Sequence, residues 1–240
     1  MDDVKVVVNN VAGKGNELTL FTAEKKVFYP DGTSYKLDTI DAIAELVKFR
    51  GKPETTLIFC NEKRIGIILD DSVMDRQQDV ARFAFEFSDE YKEWQSVLGQ
   101  QLSQKKFVDF LKLREPEEVD DLDLLLGQTQ NLAFATSIVG EFGYEDSNNI
   151  TVVFKAKDVE GTAKIPQKFF IKIPLVFGSD LKVFMEIQLD LQKPREENQR
   201  PLFNITCPKF HRYWNEAVNH ETDRLKTLLS DYKIVSGAME

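Results

Sequence analysis

Apolar and polar positions divide this chain into a β-rich start, a helical middle and a strand-rich last third closed by a helix. Residues 4–8, 18–22 and 26–29 are short β-prone runs, and Pro30-Asp31-Gly32 is turn chemistry. Asp38 is placed to cap a helix whose stripe is Ile40, Ile43, Ala44 and Val47 and which stops before Gly51. Residues 55–60 and 64–69, joined by Asn61-Glu62-Lys63, predict a hairpin. Phe83, Phe85 and Phe87 alternate with Arg82, Ala84 and Glu86, the pattern of a strand with one aromatic face.

In the middle, Ser88 or Asp89 caps a short helix through Trp94 and Leu98 that Gly99 ends. Ser103 caps a second helix with Phe107, Phe110 and Leu111 on its inner side. Pro116 opens a third, acidic helix, with Glu117, Glu118, Asp120 and Asp121 near its positive end. The last third predicts strands over 150–156, 169–177, 181–191 and 202–207. Leu181, Val183, Met185, Ile187, Leu189 and Leu191 fall on one face of the third of these. Phe169, Ile171, Ile173 and Leu175 point inward from the second, with Lys168, Phe170 and Lys172 outward. This is the alternation of an antiparallel sheet with one wet face. Pro208 fits the first position of a closing helix, whose one side carries Phe210, Trp214, Ala217, Glu221, Leu225 and Leu228. The fold class expected is α+β: antiparallel β-meander sheets with a helical middle segment and a C-terminal helix. Residues 1–52 form an N-terminal β-unit plus helix, and 53–240 an α+β region compact with it; no repeat or Pro/Gly/Ser-rich linker separates them.

Composition narrows the class. The chain has 240 residues, 26 of them aromatic by its 18 Phe, 6 Tyr and 2 Trp, enough for a sizeable core and against disorder. No run of about 18 apolar residues predicts a membrane span. Met1-Asp2-Asp3 leads into no apolar stretch, so no signal peptide is expected. Two cysteines, Cys60 and Cys207, suit a reducing compartment better than a disulfide scaffold.

Charge adds more. The formal net charge is −9, and residues 115–154 alone hold nine acids and no Lys or Arg. Lys155, Lys157, Lys164, Lys168, Lys172 and Lys182 follow, against only Asp158, Glu160 and Asp180. A chain of this charge repels free nucleic acid at long range, although screening within about 8–10 Å leaves a local basic face able to bind.

Catalytic constellations are missing, and no enzyme activity, cofactor or metal is expected. His211 and His220 lie nine positions apart on one predicted helix, on opposite faces. Cys60 sits in the apolar run Leu57-Ile58-Phe59-Cys60 and reads as a small buried hydrophobe. Asp70, Asp71, Asp75 and Asp79 form an acidic connection without the glycine pattern of a calcium loop. Ala12-Gly13-Lys14-Gly15-Asn16 lacks the phosphate-loop spacing. Two surfaces remain as candidate partner-binding sites. One is a basic–aromatic strand face of Lys155, Lys157, Lys168, Phe170, Lys172, Lys182 and Phe184. Aromatics beside lysines there suit base stacking or a protein partner. The other is the acidic helix with Glu117, Glu118, Asp120, Asp121 and Asp123.

The stretch FSDEYKEWQSVLGQQLSQKKFVDFL at 87–111 and the later IPQKFFIKIPLVFGSDLKVFMEIQLDL at 165–191 carry a further signal. With Trp94, Ser103-Gln104, Phe107, Pro116 and Pro166-Gln167-Lys168-Phe169 in order, they resemble the uncharacterised YfdQ-like family of phage and prophage proteins over about residues 55–230. The first 50 residues are outside the resemblance. Family members often carry His after the first hairpin and Arg in the meander, where this chain has Asp75, Arg76 and Asp79, and Glu186 and Gln188. The resemblance implies phage origin and action in the host cytoplasm, and no particular activity.

These readings together predict a phage accessory protein that acts by binding, inhibiting or sequestering a host or defence protein, as a homo-oligomer and away from membranes. The alternative is single-stranded nucleic-acid binding in phage recombination or replication, which the net charge disfavours. An acidic mimic of DNA phosphates and a sequestering pocket for a small nucleotide are further readings.

Overall fold

The first sheet forms because apolar residues, mostly β-branched or aromatic, recur at period two along its short strands and bury one face. The computed structural model describes residues 30–131, 137–138, 143–145, 149–156, 159–192 and 202–239. The chain divides into two compact units, Met1–Pro30 and Asp31–Glu240. The β-prone runs at 4–8, 18–22 and 26–29, all in the first unit, lie outside the described residues.

The elements of the second unit in chain order are β1 (Ser34–Leu37), α1 (Ile40–Arg50), β2 (Leu57–Cys60), β3 (Arg64–Ile68), β4 (Val80–Ala84), α2 (Asp89–Gln95), β5 (Gln101–Ser103), α3 (Gln104–Leu111) and α4 (Leu122–Asn131). Then come β6 (Ser137–Ile138), β7 (Gly143–Glu145), β8 (Asn149–Ala156), β9 (Val159–Pro166), β10 (Lys168–Pro174), β11 (Lys182–Gln192), β12 (Leu202–Thr206), α5 (Phe210–Leu228) and β13 (Lys233–Ser236). The class is α+β, with mixed and antiparallel sheets and a C-terminal helix.

The five-stranded sheet has the order β1-β4-β3-β2-β13. Its two edge strands run parallel to their neighbours, and β2-β3-β4 is an antiparallel meander containing the expected hairpin. One face carries Ile58, Cys60, Ile65, Ile67, Ala81 and Phe83, all buried. Against it lie α1 and α5. Cys60 Sγ is 3.6 Å from Thr222 Oγ1, and Tyr232 Oη donates to the Val47 carbonyl at 3.3 Å. Helix α1 is capped by Thr39, whose Oγ1 accepts the Ala42 N–H at 3.1 Å, so the cap sits one residue beyond Asp38.

The four-stranded sheet β10-β11-β12-β5 is antiparallel throughout. The predicted alternation holds: Phe169, Ile171, Ile173, Val183, Met185, Ile187, Leu189 and Leu191 are buried, and Lys168, Lys172, Lys182 and Phe184 are exposed. Helices α2 and α3 cover the buried face, with Trp94 edge-on to Phe110 at 4.9 Å and Phe107 stacked on Phe203 at 5.1 Å. Ser88 and Ser103 are the caps, and Gly99 takes a φ of 75° just after α2. Helix α5 begins at Phe210 with Lys209 as its cap, which leaves Pro208 just ahead of the helix rather than at its first position.

In the third sheet β8 pairs along its length with β9 and with the short β6 and β7. Strand β9 has no counterpart among the elements predicted from sequence. Its run V-E-G-T-A-K-I-P interrupts Val, Thr and Ile with Glu, Gly, Ala and Lys, which are depleted in strands, and the ladder offered by β8 fixes it as a strand.

Candidate functional site

Antiparallel pairing of β10 and β11 assembles the basic–aromatic face. The register sets Phe170 opposite Glu186, Lys172 opposite Phe184 and Pro174 opposite Lys182. Phe170 and Phe184 are therefore diagonal neighbours. Their rings stack with centroids 4.7 Å apart and planes 9° from parallel. Phe184 remains 53% exposed. Lys172 and Lys182 are exposed and make no ion pair among the described residues. Lys168 differs. Its Nζ lies 3.8 Å from Glu186 Oε1, and Lys209 Nζ lies 3.3 Å from Oε2 of the same carboxylate. Burial pushes the Glu186 carboxyl up, but the Lys209 hydrogen bond and the charges of Lys168 and Lys209 outweigh it. The group ends below the ordinary glutamate value.

The rest of the predicted face does not join this set. Lys155 is on β8, which pairs with β9 and not with β10, so it belongs to another sheet. Lys157 lies outside the described residues.

The acidic segment corrects the expectation of a helix opened by Pro116. Residues 116–121 are turns, and the helix begins only at Leu122. The physical reason is the free edge of β10. The Lys172 N–H donates to the Glu118 carbonyl at 2.8 Å, and the Asp120 N–H donates to the Phe170 carbonyl at 2.9 Å. Val119 thereby bridges Ile171 and is buried. A helix there would leave that edge without partners and turn Val119 out of the core. Asp121 takes φ 51° to restart the chain, and its carbonyl accepts the first bond of α4, from Leu125 N–H.

Glu118 is not a free acid. Its Oε1 accepts from Trp94 Nε1 and lies 3.3 Å from Arg114 Nη1. Arg114 also reaches Glu93 Oε2 at 2.5 Å and sits 4.6 Å over the Phe110 ring. Asp120, Asp121 and Asp123 are exposed and enter no ion pair among the described residues. The two charge blocks, apart in sequence, meet in space. Lys172 and Lys182 share a groove of about 390 Å³ with Glu90, Glu115, Glu117 and Glu118.

The thiols are poor nucleophiles. Burial pushes Cys60 up, against a smaller opposing pull from the Thr222 hydrogen bond and the Lys226 charge. Burial drives Cys207 up to about 11. In the 70–79 connection Asp70 accepts from Ser72 and Asp71 from Gln78 within the loop, while Asp79 reaches outside it, accepting from the Thr33 N–H and pairing with Arg50. Among the described residues, one group has metal-like spacing, Asp180, His220 and Glu221. The turn before β11 brings Asp180 to 3.5 Å from His220 Nε2. Sequence spacing held no signal for this, since the two residues are 40 positions apart. Glu221 is buried within α5 and already satisfied. Ser179 Oγ donates to one oxygen at 2.5 Å and Arg224 to the other at 3.3 Å. Arg224 also grips both oxygens of Asp41 at 2.6 Å. That guanidinium supplies the positive charge the cluster requires.

No family model, curated protein or solved structure matches this chain. No helix among the described residues is long and apolar enough to cross a membrane.

Proposed function

We propose that this protein acts by binding another protein, through the Phe170–Phe184 pair and the lysines beside it, and without catalysis. The observation that carries the reading is an aromatic pair left open on a sheet face and flanked by Lys172 and Lys182, which meet no carboxylate in an ion pair among the described residues. Open aromatic surface beside cations fits a segment that offers an apolar side chain and a carboxylate close together. Single-stranded nucleic acid fits less well. Glu115 and Glu117 line the adjoining groove beside Lys172 and Lys182 and repel a phosphate backbone. The same acids argue against pairing with the acidic segment of a second copy, because each copy already sets its own acids beside its own lysines.

The resemblance to YfdQ-like proteins supports a phage setting, with a host or defence protein in the host cytoplasm as the target. Tagged full-length chain, expressed in bacteria, tests the surface. Wild type and an α1 control, Lys48→Glu, should capture the same discrete proteins, and the double variant Phe184→Ser with Lys172→Glu should lose them. Undiminished capture by the double variant would overturn the assignment. Copurified oligonucleotide, lost in the same variant, would transfer the surface to the nucleic-acid reading.

A further inference from the structure

The face of the five-stranded sheet turned away from α1 and α5 carries a second concentration of positive charge, and it is unlike the first. The parallel register of β1 and β4 sets Lys36 directly opposite Arg82. In the antiparallel register of β3 and β4, Arg64 stands opposite Ala84, and Gly66 stands opposite Arg82. Strand alternation therefore puts Lys36, Arg82 and Arg64 on one face, and all three are exposed. Like charges directly opposite across strands destabilise a sheet. Elsewhere among the described residues Arg50, Arg114 and Arg224 each meet a carboxylate, and Arg76 and Arg212 do not. Lys36, Arg64 and Arg82 meet none in an ion pair among the described residues, in a chain whose net charge is −9.

These side chains surround a cavity of about 380 Å³, and its lining contains no acid. That size falls within the range of roughly 300–1,000 Å³ of small-molecule sites. Its floor is the sheet at Gly66, which is itself buried because the Met239 side chain lies over it. The Met239 side chain forms one wall: a Cβ added at Gly66 would lie 2.9 Å from Met239 Cβ. The cavity thus joins an apolar thioether surface to a rim of two guanidiniums and one ammonium.

We propose that this cavity binds a small phosphate monoester with an apolar body. The rim favours a phosphate over a carboxylate. Phosphate carries a charge of about −1.5 to −2 and three acceptor oxygens, so it can engage two arginine forks and a lysine together. Apolar atoms of the ligand lie against the Met239 side chain that covers Gly66. Binding also removes the Lys36–Arg82 repulsion. The site is on a different sheet from the Phe170–Phe184 surface, so neither reading depends on the other.

The smallest probe with both features is phenyl phosphate, with phenol and inorganic phosphate as its halves. The full ¹⁵N-labelled chain is titrated with each, and the Gly66 amide signal is followed. Phenyl phosphate is expected to shift that signal saturably and to bind at least about tenfold more tightly than phenol. The double variant Lys36→Ala with Arg82→Ala should lose the saturable shift, while Lys172→Glu keeps it. Without ligand, the same double variant is expected to melt at or above the wild-type temperature, since it removes a like-charge pair. No saturable shift with phenyl phosphate, an equal affinity for phenol, or an undiminished shift in the double variant would each overturn the proposal.

Discussion

Replacing Glu118 by Ala tests whether the acidic segment is held as part of the core. The carboxylate is 12% exposed and holds two buried donors, the Trp94 indole N–H and the Arg114 guanidinium, itself 7% exposed. Trp94 is fully buried, so its N–H has no recourse to water once the acceptor is gone. A buried unsatisfied donor costs about 1–3 kcal/mol. Removing one partner of a buried ion pair costs about 3–5 kcal/mol. Arg114 keeps Glu93 at 2.5 Å, so only part of that second figure applies. The sum is about 3 kcal/mol. For a chain of this length it corresponds to a fall in Tm of roughly 6–12 °C. Urea unfolding followed by tryptophan fluorescence and by far-ultraviolet dichroism measures it, the two probes together checking that the transition is a single one. Glu118→Gln keeps an acceptor for the indole and should lose less. In a double-mutant cycle with Trp94→Phe, the two changes should be strongly non-additive. A loss for Glu118→Ala of no more than about 0.5 kcal/mol, the scale of an ordinary surface substitution, would refute the reasoning.

Three further outcomes are expected. Ser88 Oγ donates to the Pro174 carbonyl at 2.6 Å and accepts the Tyr91 N–H at 3.0 Å, so Ser88→Ala should destabilise by about 1–3 kcal/mol in the same urea assay; a smaller effect would mean water replaces both contacts. With Cys207 near 11, about one thiol in a thousand is ionised at about pH 8, and Cys60 is raised as well. Both should react with a disulfide reagent far more slowly in the native chain than in urea, and equal rates would contradict their burial. Glu186 is held below the ordinary value of 4.5, so its contribution to stability is present above that value and is lost as pH falls through the lowered one. Lys209→Ala should therefore flatten the loss of stability between about pH 5 and about pH 3, and an unchanged slope would show that the bracket of lysines carries no weight.

Local patterns are legible where one face of an element is buried and its ends carry a cap. The alternation over β11, the serine caps of α2 and α3 and the β2–β3 hairpin are all of this kind. The failures share a different cause. Thr39 and Asp38 are both good caps one residue apart, and packing of Ile40 and Ile43 selects between them. Strands β5 and β13 are only three and four residues long, and each exists because a distant strand, β12 or β2, offers an edge. Residues 116–121 have the composition of a helix start, yet the open edge of β10 outcompetes it by taking two backbone hydrogen bonds and burying Val119.

Charge shows the same division between what a linear reading holds and what folding adds. In the sequence the acidic block and the lysine block are the conspicuous features, because each is contiguous. Folding sets them side by side, with Glu115, Glu117 and Glu118 in one groove with Lys172 and Lys182, so each weakens the field of the other. A group of cations with no acid in its lining is assembled instead from Lys36, Arg64 and Arg82, in three strands that a charge profile passes over. Only the non-local pairing of β1 with β4, from Lys36 to Arg82, turns them into a cluster. The separation in sequence also sets how each site answers to mutation. Lys172→Glu leaves its neighbouring acids unbalanced and should change a broad surface, whereas Arg82→Ala removes one member of a three-cation rim and should act on one small anion alone.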